Sequence, residues 1–229
     1  MSKPSILFVL TSHNKLGDTG KPTGWYLPEL AHPYHVLRNK ANITVASPKG
    51  GEAPLDPASV EAAKDDVSVT FLKNDEQVWK TTQKLSDFIG KAGQFDAIFY
   101  VGGHGPMFDL ADDATSQQLI KEFWEAGKIV SAVCHAPAVL YNVKLSDGSL
   151  LVAGKEVTAF TNAEEEQVGL TKAVPFLPED ALQKASGGKF VKAPQPWGEK
   201  VVVSGKLITG QNPASATGVG EALAKALGI

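Results

Sequence analysis

The chain of 229 residues has a single cysteine. One thiol cannot close an intramolecular disulfide, so a secreted disulfide scaffold is excluded, as is a cysteine-rich zinc site. An excess of one charge is also missing: 22 Lys and Arg face 25 Asp and Glu, a net charge of −3. That balance leaves no electrostatic footprint for nucleic acid or for an anionic membrane surface. The longest apolar runs, such as Ile6–Leu10 and Ala97–Val101, fall far short of the ~20 residues of a spanning helix. The amino terminus, Met1-Ser2-Lys3-Pro4, lacks the charged, apolar and cleavage segments of a signal peptide. A soluble intracellular protein is therefore expected, cytoplasmic or also nuclear in a eukaryote. Internal repeats and low-complexity tracts are absent as well. The remaining composition, 43% hydrophobic and 21% charged, is too apolar for disorder and suits one large globular domain.

The apolar segments are short, unbroken and rich in β-branched residues: Ser5–Leu10, Ile43–Ala46, Phe95–Val101 and Lys128–Val133. Runs without alternation suit strands covered on both faces, as in a parallel sheet. Helical spacing lies between them. Thr115–Ala126 puts Leu119, Ile120, Phe123 and Trp124 on one face, and Gly127 follows as a stop. Glu29–Arg38 offers Leu30, Tyr34 and Leu37, with Pro33 expected to make the helix begin late. Asn212-Pro213 reads as a cap and first turn of a helix towards Leu227. Strand–helix alternation predicts an α/β domain spanning 1–229 with a mainly parallel central sheet. The polar, proline-rich stretches near 48–80 and 163–200 read as insertions decorating it. Ligand chemistry in such sheets gathers at strand carboxyl ends, here just after residues 10, 101 and 133.

Cys134 ends the fourth apolar segment, and Ala136-Pro137-Ala138 opens a helix behind it. Ala132-Val133-Cys134-His135-Ala136 has the small flanking residues of a strand–nucleophile–helix elbow. A helix amino terminus favours thiolate, which argues for a reactive cysteine over an inert core one. Neighbours on a regular strand point to opposite faces, so His135 can serve Cys134 only across a sharp turn. The five histidines lie at 13, 32, 35, 104 and 135. None follows residue 135, so a base for Cys134 from within this domain must be His135 or His104. His32 and His35 share a possible helix face, but Pro33 between them and the lack of a third ligand leave no metal site readable from spacing. Gly102-Gly103-His104-Gly105 follows another strand. Its backbone N–H groups could form half of an oxyanion hole, with a second N–H from the elbow. A phosphate loop is excluded by the missing Gly-Lys-Ser/Thr ending.

Taken together, Gly103-His104-Gly105, Ala132–Pro137, Phe160-Thr161-Asn162 with the acidic run behind it, and Gly205–Ala216 make the chain similar to the PfpI superfamily. The likeness covers nearly the whole chain and is strongest to the glutathione-independent glyoxalase branch, which includes heat-shock chaperones. It implies a flavodoxin-like three-layer sandwich. It also implies a cofactor-free, metal-free enzyme converting methylglyoxal and related 2-oxoaldehydes to 2-hydroxy acids such as D-lactate. Carried over onto this sequence, Cys134 matches the nucleophile, His135 its partner, Glu165 the third member and Glu29 the acid that contacts the cysteine. Gly102, Gly103 and His104 fall on the oxyanion and substrate-binding segment. Ala136 stands where the family often has glycine. Glu164 and Glu166 remain alternatives to Glu165 in that alignment, and a helix cap is the structural alternative for Glu165, since both Asn162–Glu165 and Thr161–Glu164 fit a capping box. The resemblance also implies a homodimer. Rival readings of the same chain are a stress-responsive holdase, a cysteine redox sensor and a glycation-repair protein.

Overall fold

The structure, a computed structural model, describes residues 2–229. The strands are β1 (Ser5–Val9), β2 (Asn42–Ser47), β3 (Gln83–Lys84), β4 (Ala97–Tyr100), β5 (Ile129–Val133), β6 (Val201–Ser204) and β7 (Leu207–Gly210). They form one seven-stranded sheet in the order β3-β2-β1-β4-β5-β7-β6. Every pairing is parallel except β6 with β7. The helices are α1 (Leu27–Leu37), α2 (Pro57–Ala62), α3 (Asp66–Asn74), α4 (Gln77–Lys80), α5 (Pro106–Asp109), α6 (Ala114–Glu125), α7 (Asn162–Gln167), α8 (Pro178–Ala185) and α9 (Ala216–Leu227). This is the flavodoxin-like α/β sandwich read from the sequence. Among the described residues, no helix is long and apolar enough to cross a membrane.

Period-two alternation divides the strands between two cores. Leu7, Val9, Ile98, Tyr100, Val130 and Ala132 face α6, which presents Leu119, Ile120 and Phe123. Ile6, Phe8, Ala97, Phe99, Ile129 and Val133 face the other way, onto Leu30 and Leu37 of α1 and Val219 and Leu223 of α9. Burial on both faces explains why the strands read as continuous apolar runs.

Local expectations were corrected at several points. Helix α1 starts at Leu27, with Pro28 in its first turn and Pro33 inside it. Packing of the apolar face of α1 outweighs the backbone hydrogen bond that Pro33 cannot donate. Residues 48–80 fold into α2, α3 and α4, and they supply Phe71 and Trp79, which enclose the fully buried Trp25. Asn212 does not cap a helix with its side chain; a short 3₁₀ turn, Pro213–Ser215, precedes α9. The segment after Cys134 is a 3₁₀ helix, Ala136–Leu140, rather than an α-helix. Strands β3, β6 and β7 had no expectation attached.

Candidate active site

The sheet changes direction between β1 and β4, and side chains of chemical interest collect at the carboxyl ends of β4 and β5. The third expected place, after residue 10, holds a structural clasp instead. There Thr11 Oγ1 and the Ser12 N–H donate to the two carboxylate oxygens of Asp109, each at 2.7 Å.

Cys134 adopts φ +63°, a left-handed conformation that β-branched and bulky residues avoid. Two backbone bonds hold it there. Its N–H donates to Gly210 O at 2.9 Å, and its carbonyl accepts from the Phe160 N–H at 2.8 Å. The reversal swings His135 back beside the sulfur, and Nδ1 lies 3.4 Å from Sγ. The Nε2 of His135 makes a short bond to Glu165 Oε2. Glu165 Oε1 accepts from His104 Nε2 at 2.8 Å. One carboxylate thus carries two imidazoles, whose rings lie 3.9 Å apart. An ionised carboxylate only accepts, so both histidines present Nε2–H to it and keep Nδ1 as an acceptor.

The three glutamates take different positions, Glu166 being exposed and accepting from the Thr171 hydroxyl. Thr161 and Glu164 form the capping box of α7. Glu164 is turned away from the histidines, and Glu165, one residue on, faces them. His104 lines the same cavity as Gly103, and its ring Nε2 is engaged by Glu165.

The glycines divide likewise. A Cβ on Gly102 would lie 1.9 Å from Glu29 Oε2 and 2.9 Å from Cys134 Cβ, so only glycine lets Glu29 and the cysteine meet there. Gly102 faces the Glu29 carboxyl. Gly103, at φ +107°, has an N–H that no protein acceptor claims among the described residues, and the same holds for His135. Those two N–H groups are free for a developing oxyanion.

Burial dominates the electrostatics. Glu29 is fully buried in the first turn of α1. It approaches the Cys134 thiol and the Gly102 amide without either oxygen meeting full hydrogen-bond geometry. Desolvation raises its pKa well above the usual carboxylate range and favours the neutral acid. The Cys134 thiol is pushed well up by burial and then by Glu29, Glu164 and Glu165. The segment after Cys134 is a short 3₁₀ turn, not the α-helix terminus expected to favour thiolate, and the carboxyl groups of Glu29, Glu164 and Glu165 lie near the sulfur. His135 is lowered to about 4 by burial and by His104, so it is a neutral base at pH 7. Burial acts to raise Glu165, but His135 and His104 outweigh it and hold the carboxyl well below its usual range.

Tyr26, Phe160, Val168, Trp197 and Pro213 join these groups around a cavity of about 70 Å³. None of the five was singled out from the sequence as a site residue. Phe160 and Pro213 had a signal, in the Phe-Thr-Asn and Gly205–Ala216 segments. The His104, His135 and Glu165 ligand atoms all lie within 4.8 Å of one another and could hold a metal ion. They arrive from three separate segments, which sequence spacing cannot disclose. His32 pairs with Thr217 and Asp65 rather than with His35. A larger groove, of about 850 Å³, lies beside Tyr141 and Phe176 and contains neither cysteine nor histidine.

Residues 26–226 match the DJ-1/PfpI family. A glutathione-independent glyoxalase of Schizosaccharomyces pombe is 32% identical, over 98% of each chain. The crystal structure of glyoxalase III from Candida albicans superposes with a TM-score of 0.88 at 29% identity, covering 97% of each chain. The rapid encystment protein of Francisella tularensis superposes at 0.91 with 38% identity, covering 98% of this chain and 99% of its own.

Proposed function

Because this chain belongs to the DJ-1/PfpI family, we propose that the Cys134 site performs its glutathione-independent glyoxalase reaction, turning 2-oxoaldehydes into 2-hydroxy acids. The observation that carries this reading is the left-handed Cys134 with the His135 Nδ1 acceptor 3.4 Å from its sulfur.

For methylglyoxal the steps follow from the groups present. Sγ attacks the aldehyde carbon while its proton passes to His135 Nδ1. The oxyanion meets the N–H groups of Gly103 and His135 and takes that proton, giving a hemithioacetal. Nδ1 is then free to remove the hydrogen on the former aldehyde carbon while Glu29 gives its proton to the 2-oxo oxygen, and an enediol forms. Delivery of the Nδ1 proton to the neighbouring carbon, with the 1-hydroxyl proton returning to Glu29, gives a thioester. Water cleaves it to lactate, the D-form in our reading, and restores the thiol. Glu165 keeps His135 in the tautomer this sequence needs. The neutral Glu29 is an acid able to hydrogen-bond or exchange a proton with the substrate oxygens.

Product analysis after incubation with methylglyoxal, without glutathione or added metal, tests the reading. Wild type should yield lactate, and Cys134→Ala should fold but yield none. Full turnover by Cys134→Ala would overturn the mechanism. We further expect a cytoplasmic homodimer, for which light scattering should give twice the mass of the chain.

A further inference from the structure

Trp197 is the second non-glycine residue with positive φ, at +66°. Unlike Cys134, it has no part in the chemistry derived above. Its side chain is 41% exposed, an unusual place for the largest aromatic, yet it also lines the reaction cavity. The indole meets Phe160 edge-on at 5.5 Å, and Phe160 lies 4.3 Å from the His135 ring.

The conformation is held from below. The Trp197 N–H donates to Glu164 Oε1 at 2.8 Å. That same oxygen accepts from Gln211 Nε2 at 2.9 Å and Asn212 Nδ2 at 2.8 Å. Asn212 Nδ2 reaches on to Gly198 O at 2.8 Å. Glu164 Oε2 takes the Thr161 N–H and hydroxyl, each at 2.9 Å. A fully buried carboxylate, adjacent in sequence to Glu165, therefore anchors the loop that carries Trp197. The indole itself is tied by Nε1 to Gln167 Oε1 at 2.6 Å. A tryptophan fixed in left-handed backbone by this many bonds is positioned rather than draped.

The cavity beneath it measures about 70 Å³, less than half of the ~150 Å³ that accommodates a benzene ring. No Lys or Arg lines it, so nothing there would neutralise a phosphate or carboxylate.

We propose that Trp197 is a size gate: its indole restricts the substituent on the 2-oxo carbon to a small, uncharged group, and Glu164 positions the loop that carries it. This deepens the glyoxalase reading and rests on it for the substrate class.

Steady-state kinetics on the full chain test the gate with methylglyoxal and phenylglyoxal. Trp197→Ala should raise the phenylglyoxal-to-methylglyoxal ratio of kcat/KM at least tenfold, chiefly through KM. Gln167→Ala, which frees the indole without touching the cavity, should shift the ratio in the same direction by less. An unchanged ratio in both variants would overturn the gate. Because Cys134 is the only thiol, its alkylation reads the same gate without turnover. Trp197→Ala should accelerate N-benzyl iodoacetamide at least tenfold more than it accelerates iodoacetamide. Equal acceleration would overturn the gate even in an active enzyme. Selective acceleration in a wild type that makes no lactate would retain the gate and reject the glyoxalase reading.

Discussion

Burial pushes the Cys134 thiol and the Glu29 carboxyl up and lowers His135 to about 4, which favours the thiol as the resting form of Cys134. A buried thiol whose pKa lies above the ordinary value of 9.0 becomes a nucleophile only when its proton is taken during attack. The neutral Nδ1 at 3.4 Å is the acceptor for it. The alkylation rate of Cys134 by iodoacetamide should accordingly be low at pH 7 and climb with pH to beyond 9. A plateau reached below pH 8 would show a preformed thiolate and refute this ground state. Gly102 belongs to the same balance. Any side chain there would push into Glu29 and Cys134 together, so the neutral acid and the thiol remain in contact only while that position is bare.

Helix α7 is six residues long, too short to be stable by itself. It is held at its start by the reciprocal bonds of Thr161 and Glu164 and from outside by Asn162 N–H on Glu179 Oε2 at 2.7 Å. Since α7 carries Glu165 in its first turn, its capping and its chemistry are coupled. Thr161→Ala removes one cap acceptor and one donor to Glu164. It should cost about 1–2 kcal/mol in urea denaturation and lower kcat, because Glu165 loses its fixed reach to both imidazoles. Full kcat at reduced stability would separate the cap from the site. Helix α6 is a contrast: Asp113 caps it through the Ser116 N–H at 2.7 Å, and its apolar face serves the core alone.

Across the whole molecule, the buried site links stability to pH. His135 titrates near 4 when folded and at 6.5 when unfolded. Between those values the unfolded chain binds a proton that the native state refuses, so stability is full above pH 6.5 and falls as pH drops towards 4. The loss from this residue is ~3 kcal/mol. Glu29 acts in the opposite sense. Its raised pKa gives stability that is present below 4.5 and lost as pH rises through the folded value. Urea denaturation at pH 7 and pH 4.5 should show wild type losing clearly more stability than His135→Asn. Equal losses would mean that His135 is not the group responsible.

The parts legible in the linear chain are those governed by local pattern. Unbroken β-branched runs meant doubly covered strands, and β1, β2, β4 and β5 form where those runs lie. The small residues around Cys134 allowed a tight reversal, and the φ of +63° is that reversal. The similarity of a few separated segments to one family was readable for the same reason, because each is a short stretch with its own backbone requirement. Strand β6 went unread because only Val202 of it is buried, and β7 because its apolar run stops after Leu207-Ile208, with Thr209-Gly210 completing the strand. Periodicity could not separate Glu164 from Glu165, because two overlapping capping patterns satisfy the same local rule. Only the packing of α7 against α8 and its bonds to the Trp197 loop and His135 send one carboxylate to the cap and the other to the histidines. The ionisation of Cys134 is likewise a property of the assembled fold. It depends on the water excluded and on carboxyl groups brought from α1 and α7, whereas the sequence offered only a helix start next in line.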